Sequence, residues 1–287
     1  GIKAPENFAD ISSLINNMRL FKSESEIESM RQACVISAQA HSIAMQQCSP
    51  GKYEYQLDAH IQFHSLNAGS KRSAYSSIVG SGDNACILHY IENGSEVKAG
   101  DLVLIDAGCE YGHYASDITR TFPANGKFSP EQKAIYNIVL KAQLAAIEAI
   151  RPGVPWDEPH NISVKIITQG LVRLGIMNGR PSQLIKSEAY RDFYMHRIGH
   201  WIGMDVHDVG DYKIDDDWRL LEPGMVTTVE PGIYISPSNK KVPKKWRGIG
   251  VRIEDDVLIT RNGNKVLSAG IPKTVQEIES FMAHSVH

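Results

Sequence analysis

Two acidic residues end matching apolar segments of this chain. Residues 97–108 read V-K-A-G-D-L-V-L-I-D-A-G and residues 221–232 read L-E-P-G-M-V-T-T-V-E-P-G, so Asp106 and Glu230 take the same place in the two segments. In each copy the acid closes an apolar run typical of a buried β-strand. A buried carboxylate without a partner costs several kcal/mol, so each acid requires a counter-charge or a metal ion. The repeat predicts a duplicated scaffold with a site on its internal symmetry axis.

The first acid has a candidate partner across a hairpin. A two-residue turn at Tyr111-Gly112, with glycine supplying a positive φ, would join the strand ending in Asp106 to a second strand over 114–122. In that register Asp117 lies directly opposite Asp106. The β-carbons of such a pair are about 4.5–5.5 Å apart, and like charges there are destabilising. A divalent cation between the two aspartates would remove the conflict.

The second acid has a similar partner across a longer loop. Glu230 follows a predicted strand over 225–229, and Glu254 lies in a predicted strand over 249–259. Arg252 is two residues from Glu254, and residues two apart on a strand share a face. We therefore expect Arg252 to brace Glu254.

Histidines near these acids could complete a site. The glycine-containing segment 194–207 carries His196, His200 and His207, and His89 follows an apolar run earlier in the chain. The first two are four residues apart, as in a zincin helix, but the glutamate that should follow the first is missing. Glycines let the backbone approach closely, so the segment is predicted to form a wall of the site.

The resulting ligand set is rich in oxygen and has one imidazole. Its members are the four acids Asp106, Asp117, Glu230 and Glu254 and one of the candidate histidines. Such a set suits Mn²⁺ or a similar ion better than a closed thiolate zinc site. Five ligands with several carboxylates imply two ions, which could hold a bridging hydroxide and polarise a carbonyl group. The chemistry predicted is hydrolysis of an amide or an ester, with nearby neutral imidazoles donating hydrogen bonds to the developing oxyanion.

The elements that must hold these residues follow one order twice. In the first half we predict a helix from the capping-box sequence at Ser23 to Ser49, a helix over about 55–67, and strands over 77–79 and 86–90. In the second half we predict a long helix from Ser129 to Arg151 and another helix ending near Leu174, before the histidine-rich segment and the second acidic copy. This order predicts one α+β domain over residues 23–287 with internal pseudo-twofold symmetry. Residues 1–22 are expected to be irregular, the remnant of an upstream domain or linker.

Composition narrows the function classes. The 287 residues are 42% apolar and 22% charged, with a net charge of −3 and no long basic block. Nucleic acid and acidic membranes are therefore not expected as partners. No apolar run approaches the roughly 20 residues of a membrane span. The four cysteines lack metal-site or redox spacing, and we interpret them as free thiols of a reducing compartment, the cytoplasm.

The order Asp106, Asp117, His200, Glu230, Glu254 resembles that of the metal ligands in the dinuclear-metal peptidases with the pita-bread fold, among them methionine aminopeptidase, prolidase and aminopeptidase P. The resemblance therefore implies that His200 is the histidine ligand. Six stretches resemble the bacterial type of aminopeptidase P in particular: S-G-D-N-A-C-I-L-H-Y, L-V-L-I-D-A-G-C-E-Y, S-D-I-T-R-T-F-P, H-W-I-G-M-D-V-H-D-V-G, V-E-P-G-I-Y-I and R-G-I-G-V-R-I-E-D-D. The resemblance covers about residues 23–280. It implies a pita-bread fold and the release of an N-terminal residue that precedes proline.

The resemblance also implies roles for single residues. Asp117 and Glu254 would bridge two metal ions, usually Mn²⁺ in this family, with Co²⁺ or Zn²⁺ as alternatives. Glu230 would bind metal and also shuttle a proton for the bridging hydroxide. Arg252 would support the carboxylates. His89, His196 and His207 would line the substrate pocket, around the scissile carbonyl group and the proline.

One departure from the family and three alternatives stay open at this point. Aminopeptidase P normally has a further N-terminal domain, and a chain without it could differ in homo-oligomer formation, substrate length preference and activity. Prolidase shares every ligand but cleaves Xaa-Pro dipeptides. A catalytically impaired form acting as a binding module, and metal-free hydrolysis as in creatinase, are disfavoured because all five ligands are present.

Overall fold

The structure, a computed structural model, describes residues 10–283. Its helices are α1 Ser12–Leu20, α2 Glu24–Gln47, α3 Glu54–Asn67, α4 Pro130–Ala149, α5 Glu158–Arg173, α6 Pro181–Lys186 and α7 Val275–Ala283. Its strands are β1 Arg72–Ser73, β2 Ile78–Ser81, β3 Leu102–Asp106, β4 Cys109–Tyr111, β5 Tyr114–Ala115, β6 Thr119–Pro123, β7 Lys213–Ile214, β8 Asp217–Trp218, β9 Val226–Val229, β10 Gly232–Ile235, β11 Ile249–Arg252, β12 Asp255–Thr260 and β13 Gly263–Val266.

The two longest helices begin where the sequence predicts. Ser23 caps α2 in a capping box with Glu26, whose side chain accepts a hydrogen bond from the Ser23 amide at 2.7 Å. Ser129 and Gln132 form the same device at α4, with Pro130 in the first turn. These caps satisfy amide groups that the first helical turn cannot bond internally. The predicted helices at 55–67 and before Leu174 are also confirmed, as α3 and α5.

The strands confirm the internal duplication. In the first half β3 pairs with β6 and β4 pairs with β5, all antiparallel. In the second half β9 pairs with β12 and β10 pairs with β11 in the same nested arrangement. Each half also packs a helix pair, α2 with α3 and α4 with α5. The architecture is therefore the predicted α+β fold with two related halves.

The predicted position of the first hairpin turn is wrong by one residue. Tyr111 pairs with Tyr114, so the turn residues are Gly112 and His113. Their φ angles are 57° and 72°, and two positive values are the mark of a type I′ turn. The sequence analysis recognised the glycine but not the left-handed histidine beside it.

This shift changes the register of the acids. Asp106 lies opposite Thr119, not opposite Asp117 as predicted. Asp117 lies in a break between β5 and β6 rather than inside a strand. Near this break the chain passes so close to Gly108 that a β-carbon there would lie 1.7 Å from the Ser116 carbonyl oxygen. Asp117 is two residues from Thr119, so the two aspartates are diagonal neighbours across the hairpin and not directly opposite each other.

Three further expectations need correction. Residues 12–20 form helix α1, although residues 1–22 were expected to be irregular; residues 1–9 lie outside the described part. The predicted strand over 86–90 is absent: residues 82–86 form a 3₁₀ turn, and residues 87–89 follow it in a bend and a turn. Glu254 lies between β11 and β12, not within one continuous strand.

The two halves meet at a seam between β6 and the β11–β12 segment. Arg120 forms a fully buried ion pair with Asp255 at 2.7 Å and also donates to the carbonyl oxygen of Glu254 at 2.6 Å. The Glu254 amide donates to the carbonyl oxygen of Thr119 at 3.1 Å. Removing one member of a buried ion pair is costly, so this seam fixes the backbone that presents the acids of both halves.

All four cysteines are unpaired in the structure. Over residues 10–283, no helix combines the length and the apolar character that crossing a membrane requires.

Candidate metal centre

All nine residues that the sequence analysis selected line one cavity of about 500 Å³. They are His89, Asp106, Asp117, His196, His200, His207, Glu230, Arg252 and Glu254. The acids come from the ends and breaks of β3, β6, β9 and β12, so each half of the fold contributes one acid pair.

The tightest cluster in this cavity joins Asp117, His200 and Glu254. One ligand atom of each lies within 4.8 Å of the others. His200 Nε2 is 3.3 Å from Asp117 Oδ2, while its Nδ1 is 3.0 Å from the carbonyl oxygen of Trp201. Because a carbonyl oxygen only accepts, Nδ1 carries a proton and Nε2 faces the carboxylates. That tautomer is the one a metal ligand needs.

Asp106 and Glu230 flank this cluster. The Tyr75 hydroxyl lies 2.6 Å from both Asp106 Oδ1 and Asp117 Oδ1, so it links the two aspartates. Glu230 Oε1 lies 3.9 Å from His200 Nε2. A phenol has a single proton to donate, so it satisfies only one of the two aspartates at a time.

Burial sets the electrostatics of the acids. Burial raises the pKa of Asp106, although the Arg252 guanidinium opposes the shift. Burial raises the pKa of Glu230 to about 7. Burial and the neighbouring Asp117 carboxylate raise the pKa of Glu254 well above its usual range. Each of these directions says that burying the ionised carboxylate costs more than the neighbouring protein cations recover.

The Asp117–His200 pair responds in the opposite direction. Burial alone would raise the pKa of Asp117, but its hydrogen bond to His200 and the charge of that imidazole lower it. Burial alone would lower the pKa of His200, but the same contact raises it to about 9. The raised pKa means that His200 holds a second proton, on Nε2, at neutral pH. That proton compensates the carboxylates, and a metal ion bound by Nε2 would replace it.

The cavity fits divalent cations. Besides histidine, Arg252 is the one cationic side chain of residues 10–283 that forms an ion pair with any of the four acids. The donors are carboxylate oxygens and one imidazole nitrogen, a set that suits Mn²⁺ and related ions. Buried charges persist in proteins when they are paired or bind metal, and here the pairing is incomplete.

Arg252 contacts Asp106 directly and Glu254 through a hydroxyl group. Its guanidinium donates to Asp106 Oδ2 at 2.6 Å, to the Tyr234 hydroxyl at 2.9 Å and to Thr119 Oγ1 at 3.2 Å. Its link to Glu254 is indirect, because Thr119 lies between them and donates to Glu254 Oε2 at 2.5 Å. The arginine thus supports acids of both halves, one directly and one through a hydroxyl.

Sequence reasoning missed three hydroxyl groups at this centre. They belong to Tyr75, Thr119 and Tyr234. Tyr234 could have been found from the sequence. It lies two residues after Gly232, the last residue of the second acidic copy, and residues two apart on a strand lie on the same face of that strand. Tyr75 and Thr119 had no such signal, since hydroxyl residues are frequent in strands and loops.

The cavity histidines differ in what their nitrogens contact. His196 Nδ1 lies 2.8 Å from the Arg197 carbonyl oxygen and Nε2 lies 2.9 Å from the Tyr234 hydroxyl, so both are engaged. His89 and His207 are exposed, and no other residue in the range 10–283 forms a hydrogen bond with either ring. Those two rings are free to bind a polar group that enters the cavity.

Comparison with known proteins identifies a family. A model of "Metallopeptidase family M24" matches residues 28–261. The Xaa-Pro aminopeptidase of Escherichia coli is 50% identical over 98% of this chain and 63% of its own length. The human Xaa-Pro dipeptidase is 39% identical over 92% of this chain and 60% of its own length.

A solved structure shows the same fold. Aminopeptidase PepP of Pseudomonas aeruginosa superposes with a TM-score of 0.98 at 58% identity, over 99% of this chain and 64% of that one. The expected pita-bread fold is therefore confirmed. This chain spans somewhat less than two thirds of the length of these relatives.

Proposed function

This chain belongs to metallopeptidase family M24, and on that premise we propose that it hydrolyses the bond between an N-terminal residue and a following proline. The observation that carries the proposal is the single cavity that four acids, His200 and three further histidines line. Its volume, about 500 Å³, suits a short peptide. The relatives named Xaa-Pro aminopeptidase and aminopeptidase support the same substrate class.

We propose that the cavity would hold two metal ions, through Asp106, Asp117, His200, Glu230 and Glu254. Mn²⁺ is the proposed ion, with Co²⁺ and Zn²⁺ as alternatives, because the donor set is rich in oxygen. Two such ions, when bound, lower the pKa of water and polarise the scissile carbonyl group.

The chain's own groups would then position the substrate and move the proton. The side chain of Glu230 is more exposed than those of Asp106 and Asp117. The exposed fractions are 19%, 12% and 7%, respectively. Glu230 would accept a proton from the attacking water and deliver it to the proline nitrogen as the C–N bond breaks. An amine anion is a very poor leaving group, so the proline nitrogen departs only when it receives that proton.

The histidines would hold the substrate. His89 and His207 are exposed and have free ring nitrogens. They would donate hydrogen bonds to the oxygen of the scissile carbonyl group or to the proline residue of the substrate. His196 would act as a wall, since Arg197 and Tyr234 already engage its nitrogens. Arg252 would hold Asp106, and through Thr119 also Glu254, in place.

The test is hydrolysis of Ala-Pro-Ala by purified protein with added Mn²⁺, followed by detection of free alanine. We expect activity in the wild type and less than about one thousandth of it in Asp106→Ala and in Glu254→Ala. Asp83→Ala, an exposed acid outside the cavity, serves as the matched control and should retain activity. Full turnover in either cavity variant would refute the dinuclear assignment.

The likeness to the human Xaa-Pro dipeptidase gives a second candidate reaction. Rates on Ala-Pro and on Ala-Pro-Ala distinguish the two. We expect the tripeptide to be cleaved; activity confined to the dipeptide would replace the aminopeptidase proposal by the dipeptidase one.

We also propose that residues 23–287 form the catalytic domain and that the protein works in the reducing cytoplasm. The family match to residues 28–261 supports the first statement. Four unpaired cysteines support the second.

A further inference from the structure

A second opening borders the candidate metal centre, and we call it the aromatic cleft. Its walls are Trp156, Tyr212 and Trp218, and its charged residues are Arg197, Lys213 and Asp211. The ring centroid of Trp156 lies 4.5 Å from that of Tyr212 and 5.8 Å from that of Trp218, so the three rings form one continuous apolar surface.

Arg197 connects this cleft to the metal-centre cavity. It follows His196 directly in the chain and lines both openings. A ligand that extends out of the cavity past His196 therefore meets Arg197 and then the aromatic cleft.

Two cations of the cleft are held in place without an anionic partner. The guanidinium carbon of Arg197 lies 5.1 Å from the centroid of the Trp218 ring, and Lys213 Nζ lies 4.9 Å from it. No carboxylate in the range 10–283 forms an ion pair with either side chain, and neither donates a hydrogen bond there. A cation over an aromatic face gains roughly 0.5–1 kcal/mol at an exposed site, which orders it before any ligand arrives. Asp211, the one acid of the cleft lining, leaves a net positive charge.

We propose that the aromatic cleft binds the C-terminal end of the peptide substrate, with Arg197 binding the terminal carboxylate. The proposal rests on the proposed peptidase function. In this proposal the product side of the substrate extends toward Arg197, because Arg197 lines both openings. Its guanidinium would complement a carboxylate, and the rings of Trp218 and Tyr212 would complement an apolar last side chain. Arg197 is then a specificity-determining residue, and the preferred substrates are short peptides with a free carboxylate and an aromatic last residue.

The test compares Ala-Pro-Phe that has a free carboxylate with the same peptide as its C-terminal amide. Exposed ion pairs contribute at most a few-fold in binding, so we expect the wild type to prefer the acid by about fivefold in kcat/KM. In Arg197→Gln the preference should fall to about one, through a higher KM for the acid at unchanged kcat. Arg261→Gln, an exposed arginine in the turn between β12 and β13, is the matched control and should keep the preference.

Binding without turnover separates this proposal from the proposed function. Calorimetric titration with Pro-Phe and with its amide measures the same carboxylate preference on the product side. If the wild type cleaves these tripeptides but Arg197→Gln leaves the acid-to-amide ratio unchanged, the cleft assignment is overturned and the peptidase function stands. If no Xaa-Pro peptide is cleaved, yet Pro-Phe binds with a preference that Arg197→Gln removes, the cleft assignment stands and the peptidase function is overturned.

Discussion

Replacing Arg252 by methionine should destabilise the metal-free protein strongly. The arginine is 3% exposed, and its guanidinium contacts Asp106, Tyr234 and Thr119. Methionine fills a similar volume but donates no hydrogen bond. The change therefore leaves the Asp106 carboxylate buried without its cation.

The magnitude follows from that orphaned charge. Breaking a buried ion pair by removing one partner costs about 3–5 kcal/mol. For a domain of this size we therefore expect a fall of roughly 10 °C in the thermal midpoint. The cost should be smaller with saturating Mn²⁺, because the metal ion then supplies positive charge to the same carboxylate.

Urea unfolding of the chelated protein measures this effect, with a matched control and a double variant. Arg72→Met removes an arginine that is 72% exposed and pairs with Glu110 at 2.5 Å, and it should cost at most about 1 kcal/mol. Adding Asp106→Asn to Arg252→Met removes the orphaned charge and should recover about 1–3 kcal/mol. A loss below about 1 kcal/mol for Arg252→Met, or no recovery in the double variant, would refute the reasoning.

Two further predictions concern the backbone and the pH dependence of stability. Gly108→Ala should destabilise the fold by at least about 3 kcal/mol, because its β-carbon would lie 1.7 Å from the Ser116 carbonyl oxygen. Gly94→Ala is the control: its β-carbon would meet no atom closer than 3.7 Å, so it should cost less than about 1 kcal/mol in the same urea experiment. Burial lowers the pKa of His160 to about 4, so the folded state favours the neutral imidazole. The resulting contribution to the free energy of unfolding is complete above the unfolded pKa of about 6.5. About 2–3 kcal/mol of it should be lost as the pH falls to about 4.5. His160→Gln should therefore lose less stability than the wild type between pH 7 and 4.5, and an equal loss in both would contradict the assignment.

The parts of the fold that short-range signals determine were predictable. The caps of α2 and α4 are each formed by a motif of four consecutive residues, and both helices begin at that motif. Helix α1 escaped prediction because Ile11 precedes it without a side-chain cap, although apolar residues recur at helical spacing. The 3₁₀ turn over 82–86 escaped because a buried carboxylate far along the chain, that of Glu54, accepts hydrogen bonds from Ser81 and Asn84.

The candidate site was predictable as a set of residues but not as a geometry. The repeated acidic segments selected Asp106 and Glu230, and proximity along the hairpins selected Asp117 and Glu254. The register failed because a left-handed histidine in the turn moved the pairing. Contacts between the halves could not be read from either hairpin alone, and the Arg252–Asp106 pair is such a contact. These are long-range consequences of how two halves pack.

The most direct test of the account counts metal ions. Protein stripped with a chelator, dialysed against excess Mn²⁺ and analysed by native mass spectrometry should carry two ions per chain. Glu254→Ala and Asp106→Ala should each carry fewer than two at the same free Mn²⁺ concentration. A wild type with one ion or none, or variants that still carry two, would contradict a dinuclear centre built from the four acids and His200.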